Sequence, residues 1–349
     1  MSTRHLNNRA ARASGFTLIE LMVAMVLGLI VIAGVTSVFL AGQQSFRTND
    51  ALANVQDSSR VAFELMARDI REAGLAGCNS VNDRVTNVYT DAPGNGGKDV
   101  WWADWSNMVH GYNDASTDPA LVGIASGVPV TGTNSLELVS AAGTPVEINT
   151  DNTGSDFTLN ADTTNLANGD LALVCSPQQA AILQIGYVGG SKDLTYKVGN
   201  GVAPGNCSTN LGYQNNACTG NSPDYTFPGN SMISRMSAVD WYIGTNAEGG
   251  TSLYRVSLVN IGGAPTPQTQ EMVRNVTAMT ITYLNPTIAA LGNKFVDAAT
   301  ISANGGWLGV TAVNVALTVQ STFQRASVSS NAPLSRNYSF TTTVRNRVN

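Results

Sequence analysis

Chemistry in this chain would have to be built from few side chains. Beyond the first fifteen residues there is one histidine, His110, which follows the aromatic cluster Trp101, Trp102 and Trp105. No Gly-x-Ser-x-Gly turn, Walker loop or His-Glu-x-x-His helix accompanies it, so it reads as a lone loop residue without a nucleophile to serve. The chain is therefore expected not to be an enzyme. The Trp cluster reads as core packing for at least one ring, with a partner-binding surface as the alternative. Asp151 to Asp156 offer oxygen ligands but lack the twelve-residue order of a calcium loop, and no cofactor is expected.

Four cysteines, Cys78, Cys175, Cys207 and Cys218, form an even set with neither Cys-x-x-Cys spacing nor nearby His ligands. A metal site is disfavoured on that spacing, and disulfides in an oxidising compartment fit it. Cys207 and Cys218 enclose the polar stretch STNLGYQNNA, which reads as a surface loop whose closure would contribute about 3 kcal/mol. Cys78 and Cys175 would then pair and fasten the end of a helix to a strand. All three connectivities stay open at this level.

The last chemically unusual side chain is Glu20. Residues 21–46 carry no charge, and 21–35 are nearly continuous hydrocarbon, long enough to cross a bilayer. A carboxylate at the start of such a run is expensive in lipid and needs a partner. A secretory signal would place its small-residue cleavage site after the apolar core, whereas here Ser14-Gly15 comes before it, behind a leader holding Arg4, Arg9 and Arg12. A cut after Gly15 would give Phe16 a free α-amino group that could pair with Glu20 of a neighbouring subunit.

Gly15-Phe16-Thr17-Leu18-Ile19-Glu20 resembles the class III prepilin signal of type IV pilins and type II secretion pseudopilins. The resemblance implies removal of the leader by a prepilin peptidase, N-methylation of Phe16, and a role for Glu20 in assembly. It divides the chain into a cleaved leader (1–15), a transmembrane and assembly half-helix (16–42), an amphipathic half-helix (43–74) and an exported head (75–349). By the positive-inside rule the leader arginines stay in the cytoplasm, so the subunit sits in the inner membrane with a periplasmic head and reaches the pilus or cell surface after assembly.

The positioning elements follow from periodicity. After Gly42, residues Leu52, Val55, Ala62, Phe63, Met66, Ile70 and Ala73 recur at helical spacing, opposite Asp57, Arg60, Glu64, Arg68 and Glu72. Glu64 and Arg68 are an i,i+4 pair. With no proline before Pro93, one helix is predicted from Thr17 to Ala73, stopped by Gly74 and Gly77. The family's usual early proline is missing, and Gly28, Gly34 and Gly42 stand in that stretch.

Beyond Gly77 the pattern becomes period two between Gly, Asn, Pro and Asp clusters. Strands are predicted at 135–140, 171–175, 181–188, 239–243, 253–259, 276–284, 310–320 and 335–344. The fold class is α+β, an antiparallel sheet packed on the apolar face of helix 46–73. The loop-rich stretch from the helix to Val188 is expected to form an inserted subdomain.

Composition limits the partners. Of 349 residues 43% are apolar, 12% are charged, and Gly and Asn occur 34 times each. Net charge is −5, and −8 without the three leader arginines, which disfavours nucleic acid. Arg325, Arg336, Arg345 and Arg347 form the one basic group and read as strand-edge charges.

Asp240-Trp241-Tyr242-Ile243-Gly244, Leu253-Tyr254-Arg255, Val273-Arg274-Asn275-Val276 and Phe340 to Arg347 further resemble the PilW group of type IV minor pilins. That likeness implies a subunit of a priming or tip complex, supporting pilus biogenesis, twitching motility and adhesion. Its partners would be other minor pilins, the major pilin, a PilY-type tip adhesin and the inner-membrane assembly platform. The alternatives are a GspJ-like minor pseudopilin, whose heads are usually smaller, and a membrane-tethered adhesin or DNA-uptake module.

Overall fold

The computed structural model describes residues 15–78, 84–214, 217–218, 222–322 and 332–347. Helix α1 runs Leu18–Glu72, 55 residues, within a residue of the predicted limits at each end. It passes through Gly28, Gly34 and Gly42 without interruption, because isolated glycines weaken a helix by about 1 kcal/mol each without breaking it. Gly74, at φ +70°, ends it, with its N–H donating to Val139 O at 2.8 Å.

The chain divides into two compact units. The first holds the helix up to Ala53 and, among the described residues, 332–334; in it Ala51 and Leu334 are buried against Leu52. The second holds residues 54–322 and 335–347 of those described.

In the second unit an eleven-stranded sheet contains β1 (Val85–Asn87), β2 (Val109–Tyr112), β3 (Ser135–Asn152), β4 (Asp156–Leu159), β5 (Leu171–Cys175) and β6 (Ala180–Gln184). It continues with β7 (Gly186–Tyr187), β8 (Asp193–Thr195), β9 (Ser231–Thr245), β10 (Thr251–Ile261) and β11 (Ala264–Arg274). The pairings are antiparallel except β1 with β6. A second sheet, ordered β13-β12-β14-β15, contains β12 (Val276–Leu284), β13 (Phe295–Val296), β14 (Ala312–Gln320) and β15 (Ser335–Thr343), with a short helix α2 (Ala298–Ala303). The fold is α+β, as the pattern implied.

The expected inserted subdomain is corrected here. Strands β1 to β6 join the same sheet as β9, and β5 is buried along its whole length between β6 and β9. The connections from β1 to β2 and from β2 to β3 are long, which is why the stretch reads as an insert.

Packing follows the helical stripe. Val55, Ala62, Met66, Ile70 and Ala73 share one core with Leu136 and Leu138 of β3, Trp241 of β9, Met279 and Ile281 of β12, and Val313, Val315, Leu317 and Val319 of β14. Phe63 packs on Phe340 of β15 with ring centroids 4.3 Å apart. On the outer face the ion pairs are Arg60 with Glu64 at 2.9 Å and Arg68 with Glu72 at 3.3 Å, so Glu64 turns to Arg60 instead of the expected Arg68.

Candidate functional site

The N-terminal segment is built by a local reciprocal bond. Thr17 N–H and its hydroxyl donate to Glu20 Oε2 at 3.1 and 3.0 Å, and Glu20 N–H donates to Thr17 Oγ1 at 3.3 Å. A Thr at the N-cap with Glu three residues on is a capping box, which satisfies backbone donors that the first helical turn leaves open. The Thr17-x-x-Glu20 spacing could have announced it. Two of the three bonds converge on Oε2.

Every residue from Gly15 to Gly42 is exposed in the isolated chain, among them Phe16, Leu21, Met22, Val26, Leu29, Ile32 and Phe39. The stretch is long and apolar enough to cross a membrane. So much contiguous hydrocarbon calls for lipid or neighbouring helices to cover it.

The far half of α1 is held by residues from the end of the chain. Asp69 Oδ2 accepts from Trp241 Nε1 and from Arg255 Nε, each at 2.9 Å, while Arg255 Nη2 reaches Asp69 Oδ1 at 3.4 Å. Trp241 and Arg255 stand opposite each other across β9 and β10, with the guanidinium carbon 5.8 Å from the indole centroid. A cavity of about 270 Å³ adjoins them, lined in part by Arg68, Glu72, Ser140 and Met272. At the helix end Asn346 Nδ2 donates to Ala73 O at 3.3 Å, and Arg347 Nη1 donates to Trp307 O at 3.3 Å. Of the basic group expected at the C-terminus, Arg336 and Arg345 are exposed, Arg347 is engaged, and Arg325 lies outside the described residues.

Tertiary structure also gathers three carboxylates that no motif announced. Glu137 of β3 and Asp240 of β9 face each other in register, and both are buried. Asp118, buried beside them, accepts from the Ser135 hydroxyl and from Ala120 N–H, and Asp240 accepts from Leu136 N–H at 3.1 Å. Burial, then the charge of Asp118, pushes Glu137 and Asp240 well above the ordinary carboxylate range. Burial raises Asp118 as well.

His110 lies on strand β2 and not in a loop, between Tyr112 and Trp307 at ring-centroid distances of 4.7 and 4.5 Å. Burial lowers it to about 4, so at neutral pH it faces Glu137, 3.9 Å away, as an uncharged ring. None of the three cavities described, around Leu171, Asp69 and Trp101, is lined by these groups. All three carboxylates are buried, and that burial favours their protonated forms.

The remaining expected residues fall as follows. Cys78 pairs with Cys175 and Cys207 with Cys218, with Cα separations of 5.9 and 5.4 Å; the first bond ties the chain just after α1 to β5. Trp105 is buried, while Trp101 and Trp102 are half-buried and meet edge to face at 5.9 Å. The oxygens of Asp151 accept from Tyr196 and from Phe227 N–H, and Asp156 accepts from Asn152 and Ser155, so this segment is spent on a hairpin turn. Among the described residues no group of three or more His, Cys, Asp or Glu converges to hold a metal.

A long apolar-then-amphipathic N-terminal helix followed by a β-rich head, with a capped Glu at the helix start, is the arrangement that the resemblance to type IV pilins implies. Residues 10–36 match the family described as the prokaryotic N-terminal methylation motif. Residues 240–347 match the family described as type IV pilus-assembly protein W, and the two matches together support a PilW-like type IV minor pilin. No curated protein matches it.

Proposed function

We propose that the chain is a minor pilin of the priming or tip complex of a type IV pilus, and that it supports pilus biogenesis, twitching motility and adhesion. The observation that carries this reading is one continuous helix that joins a prepilin motif and a fully exposed apolar half to a head whose last hundred residues match a pilus-assembly family. In this reading the prepilin peptidase cuts between Gly15 and Phe16, Phe16 is methylated, and the apolar half holds the subunit in the inner membrane with its head in the periplasm. Glu20 then aligns the subunit with a neighbour. Its carboxylate is already fixed in direction by Thr17, so a neighbouring ammonium meets a preorganised acceptor. The cysteine pairs suit an oxidising compartment. Other minor pilins, the major pilin, a PilY-type adhesin and the assembly platform are the partners that follow.

The test is a clean deletion complemented by the wild-type chain and scored in parallel for sheared surface pili and for secreted exoproteins. Loss of pili with normal secretion is expected. Loss of secretion with normal pili would assign the chain to type II secretion, and no change in either would leave a separate binding module.

A further inference from the structure

The direction of α1 and one open sheet edge together specify a neighbour. Phe63 lies against Tyr338 and Phe340, and further along the helix Ala73 O accepts from Asn346, so β15 and the helix beside it run the same way. In the second sheet the pairings β13 with β12, β12 with β14 and β14 with β15 are all antiparallel. The far edge, β13, therefore runs against the helix.

Strand β15 lacks the guards that folded proteins place on open edges, which are short strands, prolines, bulges and charges. It runs nine residues, Ser335–Thr343, pairs with β14 alone, has no proline and carries one charge, Arg336. Val344 N–H donates to Thr311 O, and the register continues with Thr342, Phe340, Tyr338 and Arg336 turned to β14. Alternate residues of an antiparallel strand turn their N–H and C=O to the same side. The backbone groups of Ser335, Asn337, Ser339, Thr341 and Thr343 therefore point away from β14. Among the described residues, the one bond made to them is from Arg336 Nη1 to Ser335 O.

We propose that this edge takes an antiparallel strand from the head of a different helix-anchored subunit standing beside this one. The proposal rests on the membrane-anchored reading given above. Subunits anchored through their first half-helices point those helices the same way, so the donor strand must run against its own helix. A neighbour built like this chain offers that direction at its β13 edge, and pairing there continues one sheet with both helices on the same face. In this chain β13 spans two residues, Phe295–Val296, too few to cover β15, so the donor is a different subunit with a longer strand at that place.

The exposed pattern states the donor's chemistry. Tyr338 and Phe340 are half-buried on the α1 face, so apolar side chains opposite them extend the patch around Phe63. Ser339 and Thr341 are exposed on the other face and call for polar neighbours. Arg336, exposed near the start of the strand, calls for an acid near the donor strand's C-terminal end. An alternating strand of this kind gains main-chain bonds for affinity and side-chain matching for specificity.

The experiment places the photo-crosslinker p-benzoylphenylalanine at Asn337 and, separately, at Thr341 of the full-length chain, in cells that assemble it, and locates the labelled residues by mass spectrometry. Both sites should label one strand in the head of a second protein that carries a prepilin leader. The label from Asn337 should fall about four residues nearer that strand's C-terminus than the label from Thr341. The reverse order, labels on this chain, labels on a protein without such a leader, or no label overturns the proposal. The backbone is tested by Ser339→Pro, which removes an outward N–H, beside Ser339→Ala, which keeps it. Pilus yield should fall about tenfold or more with proline and stay at the wild-type level with alanine, both variants keeping leader cleavage and the wild-type circular dichroism spectrum. A folded, fully piliated Ser339→Pro strain overturns the proposal, and if the proline unfolds the head the labels decide alone. Pili lost on deletion of the gene but kept in the edge variants would leave the pilus assignment standing and refute this pairing.

Discussion

The junction at Asp69 makes the sharpest test of how the head holds its helix. Asp69→Ala removes an acceptor shared by Trp241 Nε1 and the Arg255 guanidinium, both at 2.9 Å. Leaving the Trp241 N–H without a partner in a buried residue should cost about 1–3 kcal/mol. The Arg255 bond would add up to about 3 kcal/mol if fully enclosed, but its side chain is 25% exposed, so that contribution shrinks with solvent screening. The adjoining cavity of about 270 Å³ also lets water reach both orphaned groups.

The net expectation is about 2–3 kcal/mol, below the roughly 3–5 kcal/mol of a broken, fully buried pair. For a head of this size that is a fall of about 5–10 °C in melting temperature. Asp69→Asn keeps an acceptor for Trp241 and loses the charge, so it should cost about 1 kcal/mol. The measurement is thermal unfolding of the full-length chain in detergent, followed by circular dichroism and Trp fluorescence. In a double-mutant cycle with Arg255→Ala the coupling should be about 1 kcal/mol. An Asp69→Ala chain that melts within 1 °C of wild type would refute the claim that this contact locks helix to sheet.

Three further outcomes follow from the same structure. Gly15→Val should leave an uncleaved precursor on a gel, whereas Glu20→Ala should be processed yet fail to restore pili, having lost both the partner charge and the Thr17 capping bonds; processed Gly15→Val or fully piliated Glu20→Ala would count against the assembly site. Because Glu137 is raised in the fold, its contribution to stability is complete below the unfolded value of about 4.3 and is lost as pH climbs towards the folded value, so Glu137→Gln should be at least as stable as wild type at pH 7 and lose that margin at pH 4. Urea midpoints at the two pH values check this, with Asp118, Asp240 and His110 left in place. Breaking Cys78–Cys175, which spans 97 residues, should cost about 5 kcal/mol, against about 3 kcal/mol for the 11-residue Cys207–Cys218 loop, and paired Cys→Ser variants compared by melting would expose a reversed order.

What the sequence made legible was whatever depends on local spacing. The helix limits came from an unbroken apolar period and two glycines, and the strands 171–175 and 276–284 came with the observed bounds. Strand β11 was missed because Pro265 and Pro267 argue against a strand; it is an edge strand, where a missing N–H costs nothing in the ladder. Its turn, Gly262-Gly263 with φ of 62° and 88°, is the two-residue type that joins hairpins and was the signal to heed. Strand 135–140 runs on to Asn152 because a register shift between Ala142 and Val146 absorbs the glycine.

The carboxylate group was not legible at all. Asp118, Glu137 and Asp240 come together through tertiary structure, Glu137 and Asp240 by cross-strand register and Asp118 by its bond from the Ser135 hydroxyl. Asp240 stood in plain view as part of a family-like motif, yet nothing local marked it as buried.

The family match at 240–347 gains a physical meaning from where those residues sit. It contains Trp241 and Arg255, which grip Asp69; β12, β14 and β15, which cover the buried face of α1 from Val55 to Ala73; and Asn346, which bonds the carbonyl of Ala73 just past the helix. The matched part is thus the clasp around the helix. Strands β1 to β8, both disulfides and the Trp101–Trp105 cluster lie outside it. A subunit that must present its helix in a fixed way while carrying a head of its own needs the first part constrained and leaves the second free to differ. Substitutions in the clasp should therefore disturb assembly through the helix, whereas changes at the half-buried Trp101 and Trp102, far from Asp69 in the chain and beside the cavity of about 250 Å³ with Pro119 and Val122, should spare the fold of the clasp and act on whatever the head contacts. Melting temperature and pilus yield, measured together on Arg255→Ala and Trp101→Ala, separate the two effects: the first should lower both, and the second should leave the melting temperature less changed than pilus-dependent adhesion.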